Sequence, residues 1–286
     1  EQLDSFLNQT YKNISLWVSD DGSSDGTMII LKQYQAKFPK GRMTIIEGPK
    51  KGFVMNFLSL LCYKDLQSDY YAFSDQDDIW EPKKLAVAFE KIKNISDKPA
   101  LYGSRTKTVT EHGELIGFSS VFAKTPCFQN ALVQSIAGGN TMLLNDEAVK
   151  IMRKAGTVDV VSHDWWAYMM VSGAGGKVVY DTYAGLLYRQ HDNNQIGANN
   201  GWIARCSRIH LLMQGRFRDW NTQNINALFK VKHLLTAENQ VILKKFELAR
   251  NSSFFPRMIG LWKLGIFRQT ILGNLGLIAA IILKKL

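Results

Sequence analysis

The stretch from Tyr70 to Trp80, YYAFSDQDDIW, places three carboxylates directly after a short apolar run. The first four residues predict a buried strand, and Asp75, Asp77 and Asp78 follow where that strand ends. No opposite charge stands within the stretch, so we expect a hard divalent cation such as Mg²⁺ or Mn²⁺, shared with a diphosphate ligand. The alternative is a solvated acidic turn that caps a helix starting near Pro82.

A second acidic cluster follows an earlier predicted strand. The strand pattern of Ile14 to Ser19 continues into DDGSSDGT at residues 20–27 and then into a helical pattern through Phe38. Ligands of open α/β sheets bind at the carboxyl ends of strands, where Asp20 and Asp21 are placed to accept from a base or ribose. The same residue types also suit a tight strand-to-helix turn on conformational grounds alone.

Predicted strands and helices alternate along the first half of the chain. This alternation predicts an α/β fold with a largely parallel sheet. Further strands are predicted at Met43 to Glu47, directly before Asp75, and at Ala100 to Lys107, Thr141 to Leu144, Lys177 to Tyr180 and Gly185 to Tyr188. Further helices are predicted at Gly52 to Tyr63, Pro82 to Ile95, Asp146 to Ala155 and Trp165 to Ser172.

The succession of motifs resembles the nucleotide-sugar domain of the inverting family 2 glycosyltransferases, in their bacterial rhamnosyltransferase-like branch. The resemblance is carried by Ser19–Thr27, Phe73–Leu85, Gly138–Asn140, His163–Trp166 and Tyr188–Asn194, so it covers about the first two hundred residues. It implies a GT-A fold, which is a Rossmann-like nucleotide-sugar-binding domain. It also implies a metal-dependent single displacement with inversion and a nucleoside-diphosphate sugar as donor.

The resemblance assigns the donor and metal residues one by one. Asp20 and Asp21 fall where the family holds the base and ribose. Asp75 and Asp77 fall on the metal motif, with Asp77 as the direct ligand and Asp75 nearer the ribose or a metal-bound water. His191 matches a late histidine that completes the metal shell, and its imidazole must be neutral to do so.

The acceptor side is assigned in the same way. Gly138, Gly139 and Asn140 match the glycine loop, where absent side chains let backbone and substrate approach closely. Asp164 takes the position of the catalytic base, although the family more often has Glu where this chain has His163. An Asp before an apolar run also starts helices, so Asp164 is alternatively a helix cap.

Two further residues lie near the predicted donor site. We expect Lys51 and Asn56 to approach the donor phosphates or ribose, and the alternative is that they are ordinary solvated loop residues. An inverting transfer needs a base for the attacking hydroxyl and a counter-charge for the leaving diphosphate. It needs no covalent enzyme intermediate, so the missing Ser-His-Asp or Cys-His pattern is no objection.

Composition indicates one catalytic domain with an appendage. The chain has 286 residues, of which 46% are apolar, enough for a substantial core. Its three cysteines, Cys62, Cys127 and Cys206, show no metal or redox spacing, which indicates a reducing cytoplasm. The sequence begins with Glu1, and we expect the family's first strand to precede this point, with a GT-A domain over residues 1–202.

The charge is concentrated in the last third. Residues 203–286 hold 14 Lys and Arg against 3 Asp and Glu, whereas residues 1–202 hold 21 against 22. The final apolar stretch, Ile271 to Leu283, is shorter than the roughly 20 residues of a bilayer span. We therefore expect residues 203–286 to be basic helices lying on an anionic membrane surface. A bundle with a solvated basic face and a membrane-entering hairpin from Met258 to Leu283 are the alternatives.

These observations lead to one functional expectation. The chain is expected to transfer L-rhamnose from dTDP-rhamnose to a lipid-linked or growing cell-wall or capsular polysaccharide, peripherally at the cytoplasmic face of the bacterial membrane, and an oligomer is compatible with this. A UDP-hexose donor, or a noncatalytic nucleotide-sugar-binding subunit of an assembly complex, are the alternatives. No specific nucleic-acid partner is expected, because the basic tail carries no recognisable reading motif.

Overall fold

The computed structural model describes residues 1–190 and 215–286 of the chain. Up to residue 190 the chain is a mixture of strands and helices, as the sequence predicts. In chain order the elements are α1 (Gln2–Leu7), β1 (Leu16–Asp20), α2 (Thr27–Lys37), β2 (Met43–Glu47), α3 (Phe53–Leu61), β3 (Tyr70–Ala72), β4 (Ile79–Trp80), α4 (Lys84–Ile92), β5 (Ala100–Ser104), β6 (Lys107–Val109), β7 (Leu115–Phe118), α5 (Phe128–Ala131), β8 (Leu143–Asn145), α6 (Asp146–Ala155), α7 (His163–Gly173), β9 (Lys177–Asp181) and β10 (Leu186–Arg189).

The described residues after 214 are mainly helical, as the sequence of residues 203–286, the basic tail, predicts. They form α8 (Arg216–Lys230), α9 (Ala237–Asn251), α10 (Phe254–Lys263) and α11 (Ile271–Ile282). Among the helices of the two described ranges, none combines the length and the hydropathy that crossing a bilayer requires.

The described strands form three small sheets. Their orders are β1-β2, β3-β8-β5-β9 and β4-β10-β6-β7. Parallel pairing joins β1 to β2, β5 to β9 and β6 to β10, whereas β8 runs antiparallel to both β3 and β5. β10 is antiparallel to β4, and β6 is antiparallel to β7. The prediction of a largely parallel sheet is therefore wrong for both four-stranded sheets, in each of which two of the three pairings are antiparallel. For β8 the reason is that it follows a 3-10 turn at Gly139–Thr141 and not the helical crossover that a parallel neighbour needs.

One predicted strand is divided between two sheets. Residues 100–107 were expected to be continuous, but β5 ends at Ser104 and β6 begins at Lys107. Between them Arg105 Nε donates to the Ser119 carbonyl oxygen at 2.8 Å, and Thr106 N donates to the Ser119 hydroxyl at 3.0 Å. These long-range bonds fix a change of direction that the local residue pattern does not show.

Helix α7 joins the sheet to the C-terminal helices. Trp166 and Tyr168 on this helix are fully buried, and their core cluster includes Leu144 of β8 and Phe246 of α9. The helices of residues 216–286 therefore share a core with the strands that precede them. This packing fixes α7, and with it the side chain at its amino-terminal end.

Candidate active site

The carboxyl end of β1 holds the first acidic pair. Asp21 Oδ1 accepts from Lys50 N at 2.5 Å, and its Oδ2 accepts from Gly52 N at 2.9 Å. Asp20 accepts from Ser23 N through both oxygens, at 3.3 and 3.2 Å. Because a carboxylate has about four acceptor positions, each side chain keeps capacity for the N–H or O–H groups of a ligand.

Asn56 is directed at the end of β1. Its Nδ2 donates to the Ser19 carbonyl oxygen at 2.9 Å, and its Oδ1 accepts from the Ser19 hydroxyl at 2.5 Å. Gly48 closes the other side, since a Cβ there would lie 2.6 Å from Asn56 Oδ1 and 2.7 Å from Asp21 Oδ1. Sequence reasoning missed this glycine, because its role depends on packing against α3. The donor contacts expected of Asn56 and of the exposed Lys51 stay predictions.

The loop after β3 holds the second acidic group. Asp75 and Asp77 are half-buried, and Asp78 is fully buried. Burial raises the pKa of Asp75 to about 6, and the charges of Asp164 and then Asp77 act in the same direction. Burial also raises the pKa of Asp78 to about 7, against the effect of a hydrogen bond from Asn140. Several carboxylates therefore share one site in which negative charge accumulates.

This donor set fits a hard divalent cation. Carboxylate oxygens are preferred ligands of Mg²⁺ and Mn²⁺, and one or two protein carboxylates suffice where a diphosphate provides further oxygens. Asp75 and Asp77 can provide them, whereas the predicted third ligand, His191, lies outside the described residues. Among residues 1–190 and 215–286, no group of three or more His, Cys, Asp or Glu side chains is arranged to hold a metal.

Helix α1 fixes the acidic loop from behind. Gln2 Nε2 donates to the carbonyl oxygen of Asp75, and the Ser5 hydroxyl accepts from Trp80 N at 3.1 Å. The rings of Phe6 and Trp80 meet edge to face with their centroids 4.6 Å apart. The loop is therefore held at both ends by contacts that do not involve its carboxylates.

A lysine outside the acidic stretch partly offsets its charge. Lys84, at the start of α4, is 4% exposed, and its ammonium lies 3.4 Å from the centroid of the Trp80 ring. Burial lowers the pKa of Lys84 to about 7, and the charge of Asp78 opposes that shift. Sequence reasoning missed this lysine because it belongs to the following helix, which packs back on the loop.

The glycine loop reaches the predicted base. Gly139 N donates to Asp164 Oδ2 at 3.2 Å, and Trp165 N donates to Asp164 Oδ1 at 2.7 Å. Helix α7 begins at His163 with Ser162 as its N-cap residue, so the alternative of Asp164 as a helix cap is wrong. Within α7, all of which is described, Asp164 alone has a side chain that is not buried. Its carboxylate is thus presented at the surface of an otherwise buried helix.

The other members of the glycine loop contact the protein itself. Asn140 is buried, and its Nδ2 donates to Asp78 Oδ2. A Cβ at Gly138 would lie 2.8 Å from Asn140 Oδ1, and one at Gly139 would lie 2.5 Å from His163 Nε2. Glycine is therefore required at both positions by close approach within the protein. The acceptor contacts assigned to this loop stay predictions.

The imidazole of His163 lies in an aromatic cluster. It stacks on Phe57 with ring centroids 3.9 Å apart at 20°, and it meets Phe73 edge to face at 4.8 Å. Neither ring nitrogen has a hydrogen-bond partner among the described residues. Burial lowers the pKa of His163, although the charge of Asp164 opposes that shift. The ring is therefore neutral at pH 7 and packs as an aromatic side chain beneath the base.

Acidic side chains at strand ends and a carboxylate presented by a buried helix thus form one candidate site in an α/β fold. The crystal structure of S. aureus TarS residues 1–349 in complex with UDP-GlcNAc shares the fold. Its TM-score is 0.52 at 14% sequence identity, and the match covers 92% of this chain and 84% of that one.

Sequence comparison identifies the family. The profile described as Glycosyl transferase family 2 matches residues 1–117. The dTDP-rhamnosyl transferase RfbG of Shigella flexneri is 30% identical over 237 residues, which are 80% of each chain. Chondroitin synthase of Escherichia coli is 26% identical over 114 residues, 40% of this chain and 16% of that protein.

The chain belongs to glycosyl transferase family 2. It is therefore a glycosyltransferase, and this family takes nucleotide sugars as donors. The resemblance to the rhamnosyltransferase-like branch is confirmed by the similarity to RfbG.

Proposed function

We propose that this enzyme transfers L-rhamnose from dTDP-β-L-rhamnose, with inversion to an α-linkage, to a lipid-linked or growing saccharide acceptor. The similarity to RfbG, which is named as a dTDP-rhamnosyl transferase, supports the donor. One observation supports the assignment of the site. After burial, the charge of Asp164 is the largest influence that raises the pKa of Asp75, which indicates that the proposed base lies near a proposed donor-side carboxylate.

Asp164 acts as the general base in this proposal. An acceptor hydroxyl attacks the anomeric carbon, its proton passes to a carboxylate oxygen of Asp164, and the carbon–oxygen bond to the nucleoside diphosphate breaks. The leaving diphosphate keeps the electron pair of that bond. Each carboxylate oxygen of Asp164 accepts one backbone N–H, which orients the group and leaves a lone pair for the acceptor. A positioned base of this kind contributes typically 10²–10⁴-fold to the rate.

The donor occupies the other side of the site. Asp20 and Asp21 receive the base and ribose, with Lys51 beside the phosphates. Asp75 and Asp77 would hold a divalent cation, which stabilises the negative charge that develops on the leaving diphosphate. The carboxylates therefore have two separate tasks, since one accepts a proton and the others secure the donor.

Substitution of Asp164 by Asn tests the base. The amide keeps the size of the side chain and can still accept from Gly139 N, but it cannot take the proton. We expect transfer to fall by about 10²–10⁴-fold with the dissociation constant of the donor unchanged. The control is Asp146→Asn on α6, whose carboxylate pairs with Lys150 at 2.9 Å. Full turnover of the Asp164 variant would reject the assignment.

Thermal stabilisation by nucleotide sugars tests the donor. A ligand that binds only the folded state stabilises by about 2.7 kcal/mol at one hundred times its dissociation constant. We expect dTDP-rhamnose with Mn²⁺ to raise the melting temperature more than UDP-hexoses do at equal concentration, and Asp77→Asn to remove the effect of Mn²⁺. A larger shift with a UDP-hexose would contradict dTDP-rhamnose as the donor and indicate that UDP-hexose instead.

We also propose that the enzyme works at the cytoplasmic face of the bacterial membrane, on an anionic lipid surface. On α10, Phe255, Ile259 and Trp262 recur at helical spacing and are all exposed, Trp262 to 80%. The opposite side of that helix is buried through Leu261. An aromatic stripe that faces outward from a helix suits the headgroup region of a bilayer.

Helix α11 repeats this arrangement. Its residues Ile271, Leu275 and Ile278 are exposed, whereas Leu277 and Ile281 are buried in the core. Residues 251–286 contain no Asp or Glu and five basic residues, which are Arg257, Lys263, Arg268, Lys284 and Lys285. Outward apolar stripes with positive charge nearby support binding to an anionic surface.

A further inference from the structure

Asp78 is a buried carboxylate that the proposed chemistry does not use. Its exposed fraction is 0%, and its Oδ2 accepts from Asn140 Nδ2. Its Oδ1 has no hydrogen-bond partner among the described residues. A half-satisfied polar group in the interior costs stability relative to an apolar pair of the same shape. Packing alone therefore does not account for this carboxylate, whose position directly follows the metal motif.

Asn140 connects Asp78 to the base. It lies in the 3-10 turn Gly139–Thr141, so its backbone is continuous with the peptide unit that contacts Asp164. In that turn Gly139 N donates to Asp164 Oδ2 at 3.2 Å. The order of contacts is thus Asp78, Asn140, Gly139 and Asp164. One hydrogen bond joins the acidic loop to the turn, and a second joins the turn to the base.

The glycines make this connection rigid. Gly138 leaves room for the side-chain amide of Asn140 beside the turn, since a Cβ at position 138 would lie 2.8 Å from Asn140 Oδ1. The other end is fixed by His163, whose ring would meet a Cβ at Gly139 at 2.5 Å. A shift of the acidic loop would therefore move the turn rather than be absorbed by loose packing.

We propose that Asp78 and Asn140 form a positioning pair that sets the location of Asp164 relative to the loop holding the donor. This inference rests on the proposed role of Asp164 as base. The rate of transfer then depends on the position of the acidic loop, because displacing the base by about 1 Å can lower the rate about 10²-fold. The pair acts on the rate through Asp164, independently of the acceptor contact that the resemblance assigns to the loop of Asn140.

A double-mutant cycle tests the pair. We expect Asp78→Leu and Asn140→Leu each to lower the rate constant of transfer about 10- to 100-fold, with the dissociation constant of the donor unchanged within about twofold. The double variant should be no slower than either single one, because both remove the same bond. Asp78→Asn keeps an oxygen that can accept from Asn140, so it should restore most of the rate and covers the case in which a leucine variant does not fold.

A matched control separates positioning from folding. Arg250 Nη2 donates to the Thr222 hydroxyl at 2.5 Å, between two C-terminal helices that carry none of the site residues. Thr222→Val should lower the melting temperature without changing the rate of transfer. Additive losses in the cycle, or a loss of donor affinity that parallels the loss of rate, would overturn the positioning pair.

The Asp164→Asn background distinguishes this inference from the proposed function. If Asp164→Asn retains full transfer, the base assignment fails and the positioning pair fails with it. If Asp164→Asn slows transfer, adding Asp78→Leu should slow it no further, because the pair acts through the carboxylate already removed. A further 10- to 100-fold loss in that background would overturn the pair alone and leave the base assignment intact.

Discussion

At the scale of single residues, the buried imidazole of His163 makes stability depend on pH. Burial lowers the pKa of this histidine in the folded protein, whereas the unfolded chain has a pKa near 6.5. Below pH 6.5 the unfolded state therefore binds a proton that the folded state binds less readily, and stability falls as the pH falls. The charge of Asp164 opposes this shift and makes it smaller.

We predict that His163→Phe reduces this acid sensitivity. Phenylalanine keeps the stacked ring against Phe57 and Phe73 but has no group that takes a proton. The histidine contributes up to about 2 kcal/mol of destabilisation by pH 5, so the wild type should lose that much more than the variant between pH 7 and 5. Urea unfolding at both values measures the difference. The control is His112→Phe, at an exposed position. Equal losses of stability between pH 7 and 5 in the His163 variant and the wild type would contradict the prediction.

The candidate residues of the site could be assigned where a motif marks them. Asp75, Asp77 and Asp164 were assigned because several motifs in order resemble one family, since an Asp at a strand end or a helix start is common on its own. The partners of those residues were not predictable. Asn140 reaches Asp78 across 62 positions, and nothing in either local sequence specifies that contact.

At the scale of elements, Asn145 decides where α6 begins. Its Oδ1 accepts from Ala148 N at 3.0 Å as the N-cap residue, and it also accepts from Ala100 N at 2.8 Å. Its Nδ2 donates to the carbonyl oxygens of Ile95 and Lys98, both at 2.9 Å. The side chain therefore joins a helix start, a strand start and a connecting loop.

We predict that Asn145→Ala costs more than an ordinary loss of a cap. A typical cap contributes about 1 kcal/mol, and each buried group left without a partner adds roughly 1–3 kcal/mol. The fully buried N–H of Ala100 loses its partner, so the expected loss in urea unfolding is about 2–4 kcal/mol. Thr236→Ala is the matched control, because Thr236 caps α9 through one bond, from Asn239 N at 3.2 Å, and should cost about 1 kcal/mol. Equal losses at the two caps would show that the bonds of Asn145 outside α6 contribute nothing.

Elements with clear end signals were predicted best. The bounds of α6 were correct because acidic residues fill its first turn and basic residues its last, which complements the helix dipole. Strand β7 was missed, since Leu115 and Ile116 are both exposed and its pattern has no buried face. Antiparallel pairing of β8 was also missed, because strand direction depends on the connection rather than on the strand residues.

At the scale of the whole molecule, the basic tail both packs on the catalytic domain and exposes apolar side chains, two features that sequence reasoning treated as alternatives. Leu243 and Phe246 of α9 are fully buried in the core that surrounds α7, so the C-terminal helices support the catalytic domain as a packed bundle would. The outer sides of α10 and α11 nevertheless expose apolar residues. The composition of the tail could not distinguish the side chains that pack in the core from those that are exposed, because both kinds of apolar residue alternate within the same helices.

We predict that the whole chain binds vesicles containing phosphatidylglycerol and that salt weakens this binding. Each Lys or Arg near an anionic surface contributes about 1 kcal/mol at physiological ionic strength. The Debye length falls from about 10 Å at 0.1 M to 3 Å at 1 M ionic strength, so co-sedimentation should drop by about tenfold or more. The doubly substituted variant Trp262→Ser/Ile271→Ser should bind weakly at both salt concentrations, because it loses exposed apolar area and keeps every charge.

The control for that variant is Ile29→Ser on α2, a side chain exposed to 65% outside the basic tail. It should bind vesicles as the wild type does. Equal binding to vesicles of pure phosphatidylcholine would show that charge is not involved. Wild-type affinity in the doubly substituted variant would show that the outward stripes of α10 and α11 face something other than lipid. The electrostatic and apolar contributions are thereby measured separately, each against the same folded protein.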